Sequence, residues 1–293
     1  MAQQMGRQSL QFENPPWIIS SGCIAGTKEG EGPIGHEIDL IGEDDNFGCD
    51  IWEEAESTLQ KEALTLALGK AGLRADELRY LFAGDLLGQS MATSFGLQPF
   101  EIPLFGLYGA CSTAGEALAL AAMTVAAGYA DVVGAVTSSH FASAEKQFRF
   151  PLEYANQRPL CTTWTVTGAG AFLLGRESGK KQNYSDNRKR TDAGSPMIKR
   201  AEQKIADDTE QKVCGVRITG ITTGKIVDYG VRDSMNMGAA MAPAAADCIQ
   251  AHLKDFSRSP SWYDKIITGD LGAVGREILL DLLAQKKIDI GSF

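Results

Sequence analysis

No two of the six cysteines stand close together. Cys23, Cys49, Cys111, Cys161, Cys214 and Cys248 form no C-x-x-C pair. That argues against a zinc site and against a disulfide framework. A basic excess is missing too. The formal net charge is -9 with a pI near 5.0, which argues against a nucleic-acid-binding surface, since that would need a clustered basic stripe. A small anionic ligand stays compatible, because a few backbone N–H groups can make a local positive site on an acidic protein. Long hydrophobic runs are absent: the most apolar stretch, Ala117 to Ala127, falls short of the roughly 20 residues that cross a bilayer. The start, "MAQQMGRQSLQFENPPW", has no basic region followed by an apolar run, so no signal peptide is read. A soluble chain of cytosol type is expected, able to dock on a membrane protein.

What is present is an alternation of β-rich and helical runs. At 293 residues, 44% hydrophobic and 22% charged, the chain suffices for one large domain or two related ones. "WIISSGCIAG" reads as a strand, and Ile51 to Gly72 as a helix with Trp52, Ala55, Leu59, Ala63 and Leu66 on one face. "RYLFAGDLLG" and "EIPLFGLYGA" read as buried strands. A helix follows Cys111, then the strand "DVVGAVTSS", a polar loop from His140 to Thr163 and the apolar strand "TGAGAFLLG". Strands apolar along their whole length, alternating with helices, predict an α/β protein whose sheet is covered on both faces.

From Glu177 to Lys212, 16 of 36 residues are charged with mixed signs, the composition of a solvated linker or insertion. The structured pattern resumes at "VCGVRITGITTGKIVDYG". Across that break the chain resembles itself. Asn46-Phe47-Gly48, a helix and "YLFAGDLLG" answer to Asn236-Met237-Gly238, a helix and "KIITGDLGAVG"; from Asn to Asp the intervals are 39 and 34 residues. Order, spacing and the Gly-Asp turn agree, which predicts a duplication with a strand inside each copy.

Cys111 sits where a strand runs through "GACSTAG" into a helix. A helix N-terminus favours negative charge, so the position is expected to lower the thiol pKa and to suit either a nucleophile or an anion-binding corner. The small neighbours Ala110, Ser112, Thr113, Ala114 and Gly115 permit close approach. The other reading is a buried cysteine acting as a small apolar side chain.

"GACST" with its Ala-rich helix, "TSSH", "AEKQFRFPLEY", "TVTGAGA", "NMGAAMAPAAAD" and "TGDLGAVGREIL" together resemble the stage V sporulation protein AD family of spore-forming bacteria, within the thiolase-like group. The resemblance implies two similar βαβαβαββ halves packed as a five-layered αβαβα fold. It places an N-terminal half at 12–176, the charged insertion at 177–212 and a C-terminal half at 213–293 that reads as truncated at its C-terminus. It implies a noncatalytic dipicolinic-acid-binding protein, which assists uptake of dipicolinate, alone or as its calcium complex, into the developing spore. Expected partners are other stage V sporulation A membrane proteins at the inner forespore membrane and a second copy in a homodimer; no cofactor is implied. The alternative is a thiolase or ketoacyl-synthase type acyltransferase with Cys111 as nucleophile.

A nucleophile needs a base within reach, and only three histidines exist. His36 reads as a surface residue and His252 as half-exposed on a helix, while His140 follows a strand ending at the same sheet edge as Cys111. A dianionic aromatic ligand needs donors and a flat wall. Helix N–H groups at Cys111 and Ser112, and hydroxyls of Ser138, Ser139 and Thr163, are the candidate donors. Arg149 offers a bidentate fork, with Arg158 second. Phe148, Phe150, Tyr154 and Trp164 are candidate walls. Asp131 would repel a bare dianion, so it is assigned to fixing a donor or meeting a calcium ion.

Overall fold

The computed structural model describes residues 3–148, 161–177 and 215–291. In chain order its strands are β1 (Gln3–Met5), β2 (Ser9–Gln11), β3 (Trp17–Ala25), β4 (Leu40–Ile41), β5 (Leu81–Asp85), β6 (Leu104–Gly106), β7 (Val132–Ser139), β8 (Gly168–Gly175), β9 (Val216–Arg217) and β10 (Gly220–Thr222). Its α-helices are α1 (Thr27–Gly30), α2 (Trp52–Ala71), α3 (Met91–Leu97), α4 (Thr113–Ala126), α5 (Phe141–Phe148), α6 (Met237–Asp255) and α7 (Gly272–Ala284). One compact unit gathers the described residues of Asn14–Gln147 and Thr165–Thr219; a second gathers those of Ala2–Glu13, Phe148–Trp164 and Gly220–Phe293.

The first unit is built on a mixed sheet of order β4-β3-β8-β7-β5-β6, with β9 added to β3. β5 pairs parallel with β6 and β7, while β8 runs antiparallel to both β7 and β3. The ends of β5 and β7, the end of β3 and the start of β8 therefore meet along one rim: Ser138 pairs with Asp85 and Ala169, and Ala25 with Gly168. Alternation along the strands assigns the two faces. Leu81, Ala83 and Val136 join Leu59, Ala63 and Ala67 of α2 in one buried cluster. On the opposite face α4 packs against β5 and β7, near Thr113 and Gly84.

α2 carries Glu53 and Glu54 in its first turn and Lys70 in its last, as the helix dipole favours, and stops at Gly72. Ala55, Leu59, Ala63 and Leu66 are buried, whereas Trp52 in the first turn is exposed.

Three expectations differ from the structure. Phe141–Phe148 is a helix and not a polar loop; its polar residues Ser143 and Glu145 are buried against partners, so their polarity did not signal exposure. β6 is a three-residue edge strand, exposed throughout, because only β5 pairs with it. In the second unit "KIITGD" forms no strand. β5 has two neighbours, both contributed by later chain, and among the described residues no strand follows Asp270.

The second unit contains a small antiparallel sheet of order β1-β2-β10 and the helix pair α6 and α7. Asn236 accepts the Ala239 N–H and caps α6. Asn46, its proposed counterpart, lies in a turn before α2, where its own N–H donates to Asp44. Asp85 and Asp270 both accept backbone N–H groups of the segment that follows, but Asp85 is fully buried and Asp270 is exposed.

Candidate functional site

Cys111 lies in a single 3-10 turn, Ala110–Ser112, that leads into α4. Hydroxyls tie the turn: Ser112 Oγ donates to the Gly109 carbonyl (2.7 Å) and Thr113 Oγ1 to that of Ala110 (2.8 Å), while Gly109 N donates to Thr113 Oγ1 (3.1 Å). Ala110 holds φ at 47°, the left-handed region in which a residue with a Cβ is uncommon. The turn walls one side of a cavity of about 340 Å³. Ala110, Cys111, Thr113 and Ala114 face Leu86 and Thr137 to Ser139 at the ends of β5 and β7, with Cys23, Ile24, Val166 and Gly168 to Gly170 completing the lining.

The helix-start argument for an acidic thiol is overturned. Cys111 is exposed at the cavity mouth, yet loss of solvation around its sulfur raises its pKa above the ordinary value, outweighing a backbone hydrogen bond that acts the other way. α4 begins at Thr113, after the 3-10 turn that holds Cys111.

The residues of "TSSH" point in different directions. Ser139 Oγ donates to the Val166 carbonyl at the cavity wall (2.5 Å). Ser138 faces α2: its hydroxyl donates to Glu56 Oε1 (2.9 Å) and accepts from Gln60 Nε2 (2.7 Å). His140 is 2% exposed, with both ring nitrogens engaged by backbone. Ala142 N donates to Nδ1 (3.2 Å), so the proton is on Nε2, which donates to the Asp45 carbonyl (2.7 Å). Burial lowers the His140 pKa and favours this neutral form.

Asp131 sits at the far end of β7, exposed and paired with Arg176 at 3.2 Å. Thr163 belongs to the second unit, near Gly272, and Trp164 is half-buried there. Arg149, Phe150, Tyr154 and Arg158 lie outside the described residues, as does the side chain of Phe148. Among the described residues no group of three metal-ligating side chains converges.

Beneath the rim runs a buried polar network that the sequence reading missed. Glu56 Oε2 accepts from Ser143 Oγ (2.6 Å); Gln60 Nε2 also approaches Thr93 Oγ1 (3.0 Å), which donates to Asp85 Oδ2 (2.9 Å). Desolvation, reinforced by nearby Asp85, raises the Glu56 pKa, although Ser143 and Ser138 oppose it by donating to the charged form. The available signal was Glu56 and Gln60 one helical turn apart, on the face of α2 that carries Leu59 and Ala63.

The stage V sporulation protein AD family model matches residues 6–293. The chain is 37% identical over 287 residues to stage V sporulation protein AD of Bacillus subtilis (strain 168), covering 98% of this chain and 75% of that one. Among solved structures it resembles a variant of Xanthomonas campestris OleA bound with cerulenin (TM-score 0.55, 13% identity, 96% of this chain and 82% of that one). It also resembles the 3-oxoacyl-(acyl carrier protein) synthase III, FabH, of Xanthomonas oryzae (TM-score 0.52, 12% identity, 96% and 84%). At such identities the likeness is one of fold, and the α/β fold is thiolase-like.

Proposed function

The chain belongs to the stage V sporulation protein AD family, and from that premise we propose that it binds dipicolinate noncatalytically at the Cys111 cavity during spore formation. The observation that carries the noncatalytic reading is chemical. Attack by Cys111 requires a thiolate and a base, but desolvation holds the thiol protonated and both nitrogens of His140 are committed to backbone. The cavity has the volume of a small-molecule site, apolar walls in Ile24, Leu86 and Val166, and small residues that admit a flat ring. Arg149 is assigned to one carboxylate, and Ser112 remains a candidate for a ligand contact, whereas the positions of Asp131 and Thr163 withdraw them from this cavity. The ligand would be taken up with other stage V sporulation A membrane proteins at the inner forespore membrane. Among the described residues no helix is long and apolar enough to cross a membrane, so the association would be peripheral.

A second copy is the proposed occupant of the β6 edge, where Leu104, Phe105 and Tyr108 are exposed and Phe105 stacks on Phe82 at 5.0 Å. Phe105→Asp should then yield monomers in sedimentation.

The test of binding is isothermal titration with dipicolinate, with and without calcium, of the wild-type chain and of Ala114→Phe, which fills the cavity from its α4 wall. Saturable binding lost in the variant is expected. A folded wild-type chain that takes up no dipicolinate would overturn the proposal, and a trapped acyl group on Cys111 from a thioester would favour the acyltransferase alternative.

A further inference from the structure

The second unit contains a chain of hydrogen bonds whose proton positions follow from connectivity alone. Ser9 Oγ donates to Asp255 Oδ2 (2.9 Å), so its 2.8 Å contact with Thr222 Oγ1 must use the threonine proton. Thr222 therefore accepts from His252 Nδ1 (2.7 Å), which fixes the ring as the Nδ1–H tautomer. Nε2 is left to accept from the Tyr263 hydroxyl (2.5 Å), and that oxygen accepts from Arg258 Nη1 (3.0 Å). Each donor points the same way, from the guanidinium of Arg258 through Tyr263, His252, Thr222 and Ser9 to the carboxylate of Asp255.

Asp255 also accepts the backbone N–H groups of Arg7 and Gln8, at 3.3 and 2.9 Å. Gly6 (φ 54°) seats the β1–β2 turn there, since a Cβ would stand 2.0 Å from the carboxylate. The chain thus fastens β2 and β10 to the C-terminal end of α6.

We propose that His252 is a pH-sensitive latch on the turn that follows α6: neutral Nε2 accepts the Tyr263 proton and holds that turn against the helix, and protonation of Nε2 breaks this link while the Nδ1–H donation to Thr222 persists. A proton on Nε2 would confront the Tyr263 proton, and the hydroxyl cannot reverse freely because its oxygen already receives Arg258. The groups in contact with the ring are Thr222 from β10, Tyr263 after the 3-10 turn Pro260–Trp262 and Phe256 at the end of its own helix; Asp255 and Arg258 are the charges that act on it, and Ser9 of β2 is reached only through Thr222. Cys248 lies one turn earlier with its thiol directed at the Thr222 carbonyl, and Lys254 is exposed. α7 meets α6 through the apolar cluster of Ala242, Ala245, Ala246 and Ile249 with Leu279 and Leu283. Burial and Arg258 both lower the His252 pKa, against a smaller opposite pull from Asp255.

The test uses the full 293-residue chain. Long-range nitrogen–proton spectra of the histidine rings should show His252 as Nδ1–H at pH 7.5; an Nε2–H tautomer would overturn the latch. Amide exchange of the turn 257–263, corrected for intrinsic rates, should rise by up to about tenfold for each pH unit below 6.5 and level off below the folded-state midpoint. His252→Asn keeps a donor toward Thr222 but does not titrate, and should abolish that rise. Tyr263→Phe, which removes the opposing proton, should move the His252 midpoint upward. An unchanged pH dependence in both variants would refute the proposal.

Discussion

Glu62 offers the strictest test of the buried electrostatics. It lies in the middle of α2 at 3% exposure, with Oε1 lacking any hydrogen-bond partner among the described residues. Desolvation pushes its carboxyl up from 4.5 to about 7, against a weaker pull from Lys61. Folding therefore favours the protonated form. The contribution is intact below pH 4.5 and is lost as pH rises through 7, which is the direction for an acid whose pKa is raised. At 1.36 kcal/mol per pH unit the full cost of ionisation in the folded state is about 3 kcal/mol. Glu62→Gln removes that cost while keeping shape. It should stabilise the first unit by about 3 kcal/mol at pH 8 and by less than about 1 kcal/mol at pH 5. Urea unfolding of both proteins across this range reads the difference directly. A stability difference that is the same at pH 5 and pH 8 would show that Glu62 is solvated or paired and that the desolvation argument fails.

Three further outcomes follow from the packing. Ser138→Ala deprives Glu56 Oε1 of its donor inside the core and should lower stability by about 1–3 kcal/mol in thermal unfolding; no loss would mean that water replaces the hydroxyl. Gly238→Ala places a Cβ 2.0 Å from the Leu271 carbonyl, where backbone must move, and should cost the α6–α7 pair about 1–3 kcal/mol. Unchanged exchange protection of both helices would contradict that close approach. Because desolvation raises its pKa, Cys111 should alkylate slowly at pH 7 with a rate still climbing near pH 9; a rate already on its plateau at pH 7 would restore the acidic thiol.

The order of elements was legible because buried parallel strands are written as unbroken apolar runs and α2 as a 3.6-residue pattern. Those signals report burial and not depth in the sheet. "LFGLYG" is as apolar as "LFAGD", yet one is an exposed edge and the other has neighbours on both sides. α5 failed for the opposite reason: Ser143 and Glu145 are polar and buried, and only the fold brings Glu56 and Thr165 to them. The repeat "TGD" kept its Gly-Asp turn but formed no strand, since pairing needs a neighbour as well as a sequence.

At the candidate site the rim was legible and the directions were not. Cys111, Ser138 and Ser139 do meet at one cavity, because a parallel strand followed by a helix brings its C-terminal end to the same rim as its neighbours. Consecutive strand residues, however, face opposite sides, so Ser138 and Ser139 cannot offer both hydroxyls to one ligand. One is spent on Glu56 and the other on the Val166 carbonyl, and the His140 ring is closed between Asp45 and Ala142. What the cavity keeps for a ligand is its shape, its small and apolar walls and an uncharged thiol. Each pH unit between ambient pH and a raised thiol pKa removes a further factor of about ten in thiolate.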